Sequence, residues 1–200
     1  PIGTRASLKN FTHDALRRFY KDWYRPDLQA IVVVGDIDVN DIEQKIREAF
    51  GKIPAPAYAR QRESFPVPSH DETLTVVAKD KETAFPSVQV MYKKNPMPQA
   101  SIGDYCRYIN TRLFTGMLNN RLRELTVKPN PPFVGAGSFY GSSYARTKDA
   151  YQVIANSSDT GMARSLYTIL QENRRALLYG FSPAELDVQK KQTQSFYDRI

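Results

Sequence analysis

Apolar positions recur at helical spacing early in the chain: Leu16, Phe19, Tyr20 and Trp23 fall on one face of a segment that Thr12 can cap. The aromatic stripe predicts a helix packed into a core. Arg25-Pro26 stops it, because proline has no amide donor and pushes its predecessor out of the α region. Ala30-Ile31-Val32-Val33-Val34 follows without alternation, which predicts a strand covered on both faces. Gly35-Asp36 turns the chain. Asp38 then caps a second helix with Val39, Ile42, Ile46, Ala49 and Phe50 inward, and Gly51 closes it. Helix, strand, helix is a piece of a domain built from helices and a sheet.

Between Pro54 and Pro68 the pattern breaks into prolines and polar residues, which predicts a semi-rigid linker. Period-two alternation begins beyond it. Leu74, Val76 and Ala78 predict one half-buried strand over Thr73–Lys79, and Val88, Val90 and Tyr92 predict another. Asn95-Pro96-Met97-Pro98 is a break, a loop of the kind that closes over something. A long helix is expected from about Ser101 to Thr126, with Ile102, Tyr105, Ile109, Leu113, Met117, Leu122 and Leu125 on its buried face. Gly103 and Gly116 each cost such a helix about 1 kcal/mol against alanine, so either tertiary packing offsets that cost or the glycines allow close approach of another element.

Lys128–Pro132 ends that helix. A glycine-rich strand spans Phe133–Tyr144, where a bulge or a near backbone would accommodate the glycines. A cleaner strand spans Asp149–Asn156, with Tyr151, Val153 and Ala155 alternating. Two helices follow. The first buries Met162, Leu166, Ile169, Leu170 and Leu177 and ends at Gly180; the second opens on the capping box Ser182-Pro183-Ala184-Glu185.

Two ordered blocks carry a resemblance. FYKDWYRPDLQAIVVVGDID, preceded by Pro1-Ile2-Gly3, is similar to the closing segment of the first domain in pitrilysin/insulinase-type zinc peptidases, the inverzincins. Downstream, Asn120-Arg121-Leu122-Arg123-Glu124 and Gly180-Phe181-Ser182-Pro183-Ala184-Glu185-Leu186 resemble that family's arginine-containing helix and its later helix start. The resemblance implies an α+β fold: an antiparallel or mixed sheet with helices packed on one face.

Bulk properties narrow the alternatives. Hydrophobic residues make up 41% of 200, enough for a real core. The net charge of +7 comes from 28 basic and 21 acidic residues. The basic residues are scattered in doublets such as Arg17-Arg18 and Lys190-Lys191, where nucleic-acid binding would need a concentrated stripe. The single Cys106 excludes an intrachain disulfide, and its position between Ile102 and Ile109 predicts a buried, inert thiol. No apolar run is long enough to span a membrane.

The resembled family holds zinc with an H-x-x-E-H helix and a later glutamate, and that motif does not occur here. His13 falls in a helix's first turn, with Leu16 where the motif needs Glu. His70, in Ser69-His70-Asp71-Glu72, reads as a surface residue. Ser138, Ser142 and Ser143 have no histidine partner and no G-x-S-x-G elbow. Gly135-Ala136-Gly137 lacks the third glycine and the context of a dinucleotide loop. Turn formation and helix capping account for Asp36 and Asp38. The family's substrate-contacting Arg and Tyr belong to the domain opposite the catalytic one, so that role is not carried to Arg121, Arg123 or Tyr140.

The expectation is therefore a piece of a larger chain: residues 1–53 as the tail of a zinc-bearing domain, 54–70 as linker, and 71–200 as a second, non-catalytic domain. By resemblance the parent is a zinc metalloendopeptidase that degrades peptides or unfolded polypeptide inside a two-halved chamber. This piece would form wall and support, packed by the upstream zinc domain and the downstream half. No catalytic, cofactor-binding or metal-ligating residue is expected in it, and zinc belongs to the parent. The alternative is a metal-free structural or peptide-binding subunit of the same fold. Lys128–Phe133, longer than the family's usual loop, resembles exported bacterial members and favours a periplasmic or exported location.

Overall fold

The structure is a computed structural model that describes residues 3–158 and 160–199, and it divides into two compact units between Glu63 and Ser64. The first holds three helices, α1 (Arg5–Asn10), α2 (His13–Trp23) and α3 (Val39–Phe50), with a 3-10 turn at Pro26–Leu28. Their ends follow the sequence chemistry. The Thr12 hydroxyl accepts the Ala15 amide at 3.2 Å, Asp38 accepts that of Asp41 at 2.9 Å, and the Gly51 amide closes α3 on the Arg47 carbonyl.

Three expectations fail in this unit, one of them on α3, where Val39, Ala49 and Phe50, expected inward, are exposed. Ala30–Val34 forms no strand, and Val32 and Val34 are 82% and 91% exposed. A β-branched run only states a preference for sheet; its amides and carbonyls need a neighbouring strand, and none lies beside it among the described residues. Leu16, Phe19 and Tyr20 are likewise exposed, because no apolar layer covers that face of α2 among the described residues. Trp23 is half-buried beneath the Arg60 guanidinium, 5.3 Å from the ring centroid.

The second unit is built on a three-stranded antiparallel sheet in the order β1-β3-β2, with β1 at Ser87–Lys94, β2 at Gly135–Ala145 and β3 at Lys148–Asn156. Register sets Val90 opposite Val153 and Ser138 on the other side of Val153, with an irregularity between Gly141 and Ala145 in β2. One face carries Val153 and Ala155, buried against Leu118 and Leu122 of α4 (Ile102–Thr126) and Ile169 of α5 (Met162–Tyr179), with Phe133 completing the cluster. The expected α+β arrangement is present. Gln152, Ile154 and Asn156 point to the opposite side.

Thr73–Lys79, expected as a strand, is irregular for the same reason as Ala30–Val34: among the described residues nothing pairs with it. Residues 65–69, placed in the linker by composition, are fastened to this unit. The Thr147 hydroxyl bonds the Phe65 carbonyl and the Val67 amide at 3.3 Å each, and the Lys93 ammonium donates to the Pro68 carbonyl at 2.6 Å.

The long helix forms as expected, and its expected inner face is buried or half-buried from Ile109 onward but exposed at the N-terminal end. Met117, Leu118 and Leu122 are buried while Ile102 and Tyr105 are exposed, since the sheet underlies only the C-terminal half. On α5 the buried positions are Ser165, Ile169, Glu172 and Ala176, and Leu177 is 80% exposed. Ser165 sits inside because its hydroxyl bonds Ser157 and the Pro132 carbonyl, each at 2.8 Å, so a polar pair takes a place the apolar pattern assigns to leucine. The last helix, α6 (Pro183–Tyr197), crosses α4 at Gly116, where a Cβ would stand 2.4 Å from the Gln189 side chain. Close approach of another element is found at Gly116, whereas at Gly103 a Cβ would meet only Ser101 and Arg107 of the same helix and its cap.

Candidate functional site

The stretch of α4 from its start to Asn119 and strand β2 enclose a groove of about 1040 Å³. The loop Met97–Gln99 forms its end, so the proline-rich break does overhang a cavity. Local chemistry fixes each wall. Ser101 and Asp104 form the capping box that starts α4: the Asp104 carboxylate accepts from the amides of Ala100 and Ser101 at 3.1 and 2.9 Å. These bonds, led by the one from the Ser101 hydroxyl, hold Asp104 below its ordinary value, and Arg107 pairs with it. The buried Asp149 carboxylate accepts the Met97 amide at 2.8 Å, tying the loop to β3. Burial first, then the charge of Asp149, push the Tyr140 phenol above its ordinary value.

At one point along the groove, Asn119 does the work of a neighbouring strand. Its carboxamide accepts the Ser138 amide at 2.6 Å and donates to the Ser138 carbonyl at 3.1 Å. Both edge groups of that residue are satisfied, and added polypeptide cannot pair there. Tyr140, Gly141 and Ser142 continue along the cavity, facing Tyr108 and Arg112 of α4. The Arg112 guanidinium lies 5.3 Å from the Phe196 ring and 5.9 Å from that of Tyr197, both on α6.

The residues weighed from sequence do not converge. His13 is exposed at the first position of α2, and His70 Nδ1 lies 2.7 Å from the Glu72 carbonyl oxygen. Asp38 caps α3, and Asp36 is exposed in the preceding bend. Ser138 bonds Asn119, Ser142 lines the groove, and the Ser143 side chain lies outside the described residues. Gly135-Ala136-Gly137 is part of a strand and cannot act as a phosphate loop at a helix start. Cys106 is exposed, not buried, because that stretch of α4 has no layer over it. Arg121 and Arg123 point elsewhere, to Glu185 and Asn120. Of the groove residues only the Ser101/Asp104 box has a readable signal; nothing in local spacing marks Asn119 or Arg112.

The described residues do not fit a zinc ion. Among the described residues no three of His, Cys, Asp and Glu cluster as a metal site would require, so no catalytic step is derived from this chain. No described helix is long and apolar enough to cross a membrane.

Comparison with known proteins completes the picture. "Probable zinc protease PqqL" of Escherichia coli is 25% identical over 190 residues, covering 94% of this chain and 20% of the relative. "Zinc protease PQQL-like" of Arabidopsis thaliana is 29% identical over 134 residues, 66% of this chain and 14% of the relative. The crystal structure of the periplasmic protease PqqL from Escherichia coli matches with a TM-score of 0.80 at 24% identity, over 100% of this chain and 22% of that one. The structure of its first half alone matches with a TM-score of 0.77, over 42% of its length. The chain thus spans about a fifth of the PqqL relative. The family described as "Peptidase M16 inactive domain" matches residues 10–193, and the chain belongs to that family.

Proposed function

We propose that the chain is the non-catalytic part of a zinc metalloendopeptidase: residues 1–53 close the zinc-bearing domain, 54–70 connect, and 71–200 form the second domain. It walls and supports a two-halved chamber in which the parent degrades peptides or unfolded polypeptide. The zinc is held by the parent outside this chain, and the location is periplasmic or otherwise exported, like that of the periplasmic protease PqqL from Escherichia coli. The observation that supports this best is the match of an inactive peptidase domain along residues 10–193, in a chain whose relatives are named as zinc proteases.

The uncovered features of the first unit accord with this reading. The unpaired Ala30–Val34 run and the bare aromatic face of α2 are what a sheet and core supplied by the rest of a domain would cover. The groove between α4 and β2 would hold an extended segment of substrate against the wall. A longer polypeptide joining this chain to the zinc-bearing domain is expected to hold one zinc and to cleave peptides in a chelator-sensitive way. A longer polypeptide that folds yet holds no zinc and cleaves nothing would overturn the proposal in favour of a metal-free scaffold.

A further inference from the structure

Arg112 stands half-buried in the wall of the groove, midway along α4. Three rings surround it: Tyr108 of its own helix at 5.7 Å, and Phe196 and Tyr197 of α6. Its hydrogen bonds among the described residues both leave from Nη1, to the Tyr108 hydroxyl at 3.3 Å and the Tyr197 hydroxyl at 3.4 Å. Nε and both hydrogens of Nη2 have no acceptor among those residues. None of the ion pairs among the described residues engages it.

The two acids that line the same groove are already occupied. Asp104 is held by the start of α4 and by Arg107, and Asp149 by the Met97 amide. Neither neutralises Arg112. An aromatic collar fixes the guanidinium plane and reduces its hydration, so little freedom is lost when a planar partner arrives. Two adjacent unused donor edges match the two oxygens of a carboxylate, and such charge-assisted pairs are about twice as strong as neutral ones.

We propose that Arg112 is a carboxylate-recognition residue that makes the groove select extended polypeptide segments carrying a glutamate or aspartate side chain. This rests on the reading of the groove as a holder of substrate and adds the substrate class to it. The chain's net charge of +7 acts in the same direction at longer range. Charge complementarity at Arg112 favours such a segment over a wholly apolar one.

The test uses the full 200-residue chain and a fluorescein-labelled, extended Ser/Val peptide with one central glutamate, beside a twin carrying glutamine there. The glutamate peptide is expected to bind about tenfold more tightly, the factor that one charge-assisted pair supplies. Arg112→Gln should bring the two peptides to parity. Arg112→Lys, which keeps the charge and loses the fork, should retain only a small part of the preference, and it decides the matter if Arg112→Gln does not fold. Equal affinities of the unaltered chain for both peptides would overturn the proposal and leave the groove reading standing. No binding of either peptide would overturn both.

Discussion

Arg121 grips both carboxylate oxygens of Glu185, from Nε at 2.5 Å and from Nη2 at 3.0 Å. The same Nη2 bonds the Gly180 carbonyl at 2.9 Å, and the guanidinium lies 4.4 Å from the Phe181 ring centroid. Glu185 in turn accepts the Ser182 amide at 2.7 Å and completes the capping box of α6. One ion pair therefore fixes the start of α6 to the C-terminal part of α4. It also joins the two downstream blocks on which the family resemblance was based.

Glu185 gives a pH-dependent stability. The Arg121 bond first, and the Ser182 bonds after it, lower its carboxyl from 4.5 to about 2 against the opposing effect of burial. A depressed carboxylate contributes stability above its unfolded value, and that contribution disappears as pH falls from about 5 toward 2. Glu185 is about one-third exposed, so screening reduces the contribution to about 1–2 kcal/mol. Glu185→Gln should lower the unfolding free energy read from urea denaturation at neutral pH by that amount and flatten the loss of stability between pH 5 and 2. An unchanged acid slope would contradict this.

Leu118 is fully buried between α4 and the sheet, in contact with the cluster of Val153 and Ile169. Leu118→Ala should destabilise the second unit by about 2–5 kcal/mol, the range for an unfilled leucine cavity. Chemical denaturation followed by far-UV circular dichroism measures it.

Gly180 ends α5 with φ 65° and ψ −149°, a region open almost only to glycine. A Cβ there would meet nothing within 4 Å, so Gly180→Ala isolates backbone strain from any clash. The expected loss is about 1–3 kcal/mol, read as a lower thermal midpoint.

Cys106 lies exposed on α4 and should react with a thiol reagent in the folded chain nearly as fast as in denaturant. A strongly protected thiol would restore the buried reading.

Amide exchange should separate the strands that formed from those that did not. Central β3 should be protected throughout and edge strand β1 at the amides that face β3, while residues 30–34 and 73–79 should exchange at close to unfolded rates.

Helices and their ends were legible because their determinants are local. Thr12, Asp38, Ser101 and Ser182 each bond an amide three residues on. Val88 and Val90 announced β1 by alternation because β3 lies beside them to complete the ladder. Leu74 carried the same alternation and Val32 a continuous β-branched run, yet neither formed a strand, since pairing depends on residues far away in sequence. The groove was the least legible part. Arg112 is brought to Tyr197 and Asn119 to Ser138 by the packing of α6 and β2, and no short-range pattern encodes either meeting.

The most direct test of the account is metal analysis of the purified 200-residue chain, with a peptide-cleavage assay on the same sample. The account predicts zinc far below one per chain and no chelator-sensitive cleavage. One tightly held zinc per chain, with cleavage that a chelator abolishes, would contradict it.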